Sequence, residues 1–140
     1  MMDPSPGPAE LGEVFEDLLI SVLAVNNYSL NKAYALCERL RDVGLSDLLF
    51  VSVDLPDADD IYKRLAEAGY DRGEYIGSLI SARIAAIMRA IKHEGCNEFL
   101  LCLMADSATV NAKLGGLYGV GPKVVSNFVS LRGMDKSRIC

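Results

Sequence analysis

Between Gly73 and His93 the apolar residues Tyr75, Leu79, Ile80, Ile84, Ile87, Met88 and Ile91 return at helical spacing, and no proline interrupts the run. That pattern predicts one helix of about 30 Å with those seven side chains turned inward. The segments on either side are punctuated in the same way. "AELGEVFEDLLISVLAV" aligns Leu11, Val14, Phe15, Leu18, Leu19 and Val22 on one stripe behind Pro8, an amphipathic helix with proline at its start. Ser29 is placed to cap "LNKAYALCERLRDV", whose apolar face is Leu30, Ala33, Tyr34, Cys37 and Leu40 and which Gly44 closes. A short helix is expected from Ser46 to about Val53, and another from Pro56 to Ala68, stopped by Gly69. Asp57, Asp59 and Asp60 fall in the first turn of the latter, where carboxylates complement the helix dipole. "NEFLLCLM" follows the long helix, and Asp106 then caps "SATVNAKLGGL". The rival strand, "LLFVSV", has no pairing partner in the sequence. Short turns between helical patterns indicate an all-α fold: a compact bundle or barrel of about seven or eight helices.

A chain of 140 residues, 51% hydrophobic, has room for one domain with a real core. The expected organisation is a disordered leader over residues 1–8 and a single helical domain over 9–140. The longest apolar stretch, "LLISVLAV", is too short to cross a bilayer, so an intracellular protein without a membrane partner is expected. Cys37, Cys96, Cys102 and Cys140 match neither a zinc nor an iron-sulfur spacing, which leaves buried or free thiols as the expectation. His93, the single histidine, stands next to Glu94 and Gly95 at a helix end and has no partner motif for a Ser-His or Cys-His pair.

The stretch "AKLGGLYGVGPKVVSNFVSL" reads as helix, tight turn, helix, with Pro122 suited to open the second. Gly119 and Gly121 permit positive φ and put no Cβ beside the main chain, so a bulky group can approach the backbone. Amides at a helix start make an anion site, and here the donors are those of Gly121, Lys123 and Val124. A phosphate is the expected ligand. A helix-helix corner whose glycines serve packing is the alternative.

"LYGVGPKVVSNFV" resembles the helix-hairpin-helix of the DNA base-excision glycosylases related to endonuclease III and 8-oxoguanine glycosylase, whose hairpin reads L-P-G-V-G-x-K-x-A. Upstream, "FEDLLISVLAVNNYSLNKAYALCERL" resembles the opening of that family's helical barrel, and "AGYDRGEYIGSLISARIAAIMRAI" its central segment, so the likeness covers about Phe15 to Arg132. The resemblance implies a helix-hairpin-helix at about residues 107–133 that grips the backbone phosphates of damaged or abasic duplex DNA while a nucleotide is flipped out. It implies that Lys123 is the nucleophile that attacks the sugar C1′ to form a Schiff base. A lysine desolvated at a helix start suits that role, because both effects lower an amine's pKa. The alternative for Lys123 is a phosphate salt bridge or plain solvation. Asn26 matches the residue that fills the gap left by the flipped base, its alternative being a turn residue beside Ser29. The carbonyls of Gly115, Leu117 and Val120 correspond to those that coordinate a monovalent cation in such hairpins. No other cofactor and no iron-sulfur cluster are expected.

The sequence departs from the family pattern in places. Asp135 is the only acid downstream of Lys123, in a position better suited to a cap than to the family's essential aspartate. Val125 replaces the small alanine of the hairpin, and Tyr118 its proline. The net charge is −5, yet Lys113, Lys123, Arg132, Lys136 and Arg138 oppose only Asp135 across residues 113–140, which predicts a basic hairpin end on an acidic body. Two functions fit: a glycosylase or abasic-site lyase domain that uses Lys123, and a non-catalytic DNA- or protein-binding helical module.

Overall fold

A computed structural model describes residues 8–26, 28–47, 55–117 and 120–133. Eight helices lie among them: α1 (Pro8–Leu23), α2 (Leu30–Tyr34), α3 (Cys37–Asp42), α4 (Ala58–Glu67), α5 (Gly73–Glu94), α6 (Cys96–Cys102), α7 (Ser107–Gly115) and α8 (Pro122–Arg132). The described residues contain no strand, and the all-α class expected from the sequence is the observed one. No helix among them is long and apolar enough to cross a membrane. The expected leader, apart from Pro8, and most of the expected helix from Ser46 to Val53, with the rival strand inside it, lie outside the described residues; Ser46 and Asp47 are not helical.

The centre of the fold is α1 rather than the longer α5. Its apolar stripe was expected on one face, but every residue from Val14 to Val25 is buried, because α2, α5, α6 and α8 enclose the helix. Enclosure extends to Glu16, Asp17 and Ser21, and a buried charge is tolerable only when paired. Arg41 donates to both Glu16 oxygens at 2.7 Å. Arg132 donates to Asp17 Oδ2 at 2.8 Å, and Ser21 Oγ donates to the Asp17 carbonyl at 2.6 Å. Phe15, Phe99 and Phe128 fill the core around this axis.

Local signals account for most helix ends. Ser29 Oγ accepts from Lys32 N, and Asp106 from Thr109 N at 2.9 Å. Asp57 is itself the cap of α4, accepting from Asp60 N at 2.8 Å, instead of lying inside the first turn. Gly44 and Gly69 adopt positive φ, the conformation in which glycine ends a helix without strain. The expected helix over residues 30–43 is broken at Ala35 and Leu36 into α2 and α3, though Ala33, Tyr34, Cys37 and Leu40 are buried as the pattern required.

Tyr75 is the main correction within α5: it is 79% exposed, not inward. The covered face at that end of the helix passes through Gly77, where α4 packs so closely that a Cβ would lie 2.7 Å from Tyr62 Cε2. Tyr75, two residues earlier, points the other way. The rest of the buried stripe is Ile80, Ser81, Ile84, Ala85, Ile87, Met88 and Ile91, with Leu79 half-buried at its margin. Cys96 and Cys102 are half-buried free thiols and Cys37 is buried.

Candidate functional site

The C-terminal end of α1 is where the fold positions the hairpin. A helix end leaves carbonyls without intrahelical donors, and here side chains from distant elements take them up. Asn127 of α8, itself buried, donates from Nδ2 to the Ser21 carbonyl at 3.1 Å and the Ala24 carbonyl at 2.8 Å. The Tyr70 hydroxyl donates to the Leu23 carbonyl at 2.8 Å. Arg72 donates to the Val25 carbonyl at 3.0 Å and also to that of Asn26. Burial raises the Tyr70 phenol above its ordinary value, against the lowering influence of Arg72. Together these bonds fix α8 and the start of α5 against one helix terminus.

That node sets the hairpin beside the turn after α1. Asn26 is exposed, in the left-handed region at φ +56°, so both the turn role and a position facing a ligand are compatible with it. Val25, Asn26, Arg83, Val120, Gly121, Pro122, Lys123 and Val124 line one open hollow of about 430 Å³. Asn26 and Lys123, 97 positions apart in the chain, are therefore neighbours in one site. Arg83, which sequence reasoning did not single out, joins them from α5; it has no acidic partner among the described residues. None of the described side chains lining the hollow is acidic.

The backbone of the hairpin differs in detail from expectation. Pro122 does open α8, but Gly121 has φ −102° and extended ψ, a conformation open to any residue. No described residue lies within 4 Å of where its Cβ would be. Neither strain nor internal packing therefore requires glycine there. Gly119 and Tyr118 lie outside the described residues. The amide of Val124 bonds to the Gly121 carbonyl at 3.1 Å and its side chain is buried, so it is not a free donor. The amides of Gly121 and Lys123 have no acceptor among the described residues. Of the carbonyls expected to face a cation, that of Leu117 accepts the Val120 amide at 3.3 Å within the turn, and Gly115 is the exposed last residue of α7. Val125 is buried at 8% exposure, so its extra bulk is accommodated where α7 meets α8.

Charge is more narrowly placed than the sequence suggested. Lys113 pairs with Glu94, and Arg132 with Asp17 and Glu13. Those two cations hold the fold together and do not form an open basic end; Asp135, Lys136 and Arg138 lie outside the described residues. Lys123 is exposed, so burial does not desolvate its amine. A larger hollow of about 620 Å³ beside Glu16, Arg41 and Asp47 is acidic, and its arginine is already paired with Glu16. No protein-family model, curated protein or solved structure matches the chain.

Proposed function

We propose that this chain binds damaged duplex DNA through the α7–α8 hairpin, and that Lys123 forms a Schiff base with an abasic site in the manner of a base-excision lyase. The observation that carries this reading is the convergence of Lys123, Arg83 and Asn26 on one hollow with no acid among its described lining residues, beside the amides of Gly121 and Lys123, which have no acceptor among the described residues. The Arg83 guanidinium and the two amides suit a phosphate, and the exposed Lys123 amine beside them can reach the sugar of the same nucleotide. The step balances simply. Lys123 Nζ attacks the C1′ aldehyde of the ring-opened abasic sugar, water leaves, and an imine joins protein to DNA.

An intact nucleotide is a harder substrate, because breaking its base-sugar bond builds positive charge at C1′. Without a carboxylate among the described lining residues, that charge has no counter-ion in the hollow. The reading therefore favours abasic DNA as substrate and slow release of bases. The exposure of Lys123 favours a second reading, in which the hairpin binds DNA or a protein without chemistry.

Borohydride separates the two, since it reduces the imine to a stable secondary amine. A covalent adduct between protein and abasic duplex is expected, lost in Lys123→Gln, with damaged-base release near background in both. Equal trapping by the wild type and Lys123→Gln would assign the reaction to another amine and leave the binding module.

A further inference from the structure

The two residues of the turn nearest the hollow, Val25 and Asn26, are held through their carbonyls by a side chain from outside the turn. Arg72, immediately before α5, donates from Nη1 to the Val25 carbonyl at 3.0 Å and the Tyr70 hydroxyl at 3.2 Å, and from Nη2 to the Asn26 carbonyl. Its guanidinium carbon lies 4.8 Å from the centre of the Tyr28 ring and 5.7 Å from that of Tyr70. Those two rings meet edge to face at 5.0 Å. Asn26, at φ +56°, sits in the left-handed region, which few residues with a Cβ adopt and which asparagine tolerates best.

We propose that Arg72 is a positioning residue of the hairpin site: it locks the left-handed turn at Asn26, so that the Asn26 side chain stands at the rim of the hollow with Lys123 before DNA arrives. This rests on the reading that Asn26 faces DNA there. The chemistry of arginine explains the choice of residue. A planar guanidinium offers several donors in a fixed fork and stacks on aromatic faces at the same time, whereas an ammonium is a point charge that cannot hold two carbonyls and two rings together. The role is thus one of shape, and replacing arginine by lysine removes it while keeping the charge.

The test is anisotropy titration of a duplex carrying a tetrahydrofuran abasic analogue, and of the same duplex intact, with wild type, Arg72→Lys, Asn26→Ala and the double variant. Arg72→Lys is expected to weaken abasic-duplex binding as much as Asn26→Ala does, about tenfold, the worth of one well-placed hydrogen bond. It should leave intact-duplex binding within about twofold and add nothing in the Asn26→Ala background, since coupled residues are not additive. Tyr28→Leu, which removes a stacking face without touching charge, must show the same pattern, and it carries the test if Arg72→Lys fails to fold. In parallel, the strong intraresidue HN–Hα Overhauser effect that marks positive φ at Asn26 should fade in Arg72→Lys. Additive losses, or Arg72→Lys binding like wild type while Asn26→Ala does not, overturn the proposal. If Asn26→Ala changes neither duplex, the reading of Asn26 as a DNA contact fails, and the Overhauser signal alone decides the clamp: persistence in Arg72→Lys overturns it and loss supports it.

Discussion

Gly121 is a glycine with no internal reason to be one. Its φ of −102° suits any residue, and a Cβ would meet nothing within 4 Å among the described residues. Gly121→Ala should therefore leave thermal stability within about 0.5 kcal/mol of wild type. If the open space is where a phosphate comes against the backbone, the added methyl group should weaken duplex binding regardless of sequence, since phosphate contacts carry no base information. Anisotropy on two unrelated duplexes checks this, and unchanged affinity in the folded variant would remove the phosphate from the hairpin. Arg83 makes the complementary case. Arg83→Ala should lower affinity several-fold without loss of stability, because this half-buried cation has no acidic partner within the described fold.

The end of α1 ties α8 and the segment before α5 together through side-chain hydrogen bonds to its carbonyls. Asn127→Ala would strand the Ser21 and Ala24 carbonyls in a buried setting, and an unsatisfied buried group costs about 1–3 kcal/mol. Urea denaturation should show a loss of that size, accompanied by weaker DNA binding as α8 loosens. Tyr70 gives the same junction a pH dependence. Its phenol is raised by burial, so the folded state holds the proton more tightly than the unfolded one, where the ordinary value is about 10. The contribution is complete below about pH 10 and is lost as pH rises through the folded value. Stability followed from pH 8 to 12 should fall more steeply in wild type than in Tyr70→Phe. The sequence announced local devices of this kind well: caps at Ser29 and Asp106, stops at Gly44 and Gly69, and Pro122 at a helix start are all written within a few residues of where they act, whereas Asp57, read as part of a first turn, is the cap of its helix instead. It did not announce the junction. Asn127, Tyr70 and Arg72 find their carbonyls at separations of 47 to 106 residues, and periodicity carries no record of such pairings. For the same reason α1 reads as one-faced though it is enclosed, and nothing in the sequence around Arg83 places it beside Lys123 and Asn26.

At the scale of the whole chain, if the protein binds DNA as proposed, the net charge of −5 and the pairing of Lys113 and Arg132 leave Arg83 and Lys123 as the cations of the hollow among the described residues. With Arg83 and Lys123 as the cations that meet the DNA, the logarithm of the binding constant should fall with the logarithm of salt concentration at a slope of about −2, and of about −1 in Arg83→Ala. A slope near −5 would mean that cations beyond this hollow take part. The long reach of Asn127 also bears on how the protein is made. The helix that closes the end of α1 is the last of the eight to leave the ribosome, 103 and 106 residues after the carbonyls it must meet. Until then the central helix has an open lower end and the hairpin has no platform. Hydrogen exchange should accordingly find the amides of α1 and α8 opening together, in one cooperative step, and a nascent chain lacking α8 should have no affinity for DNA at all.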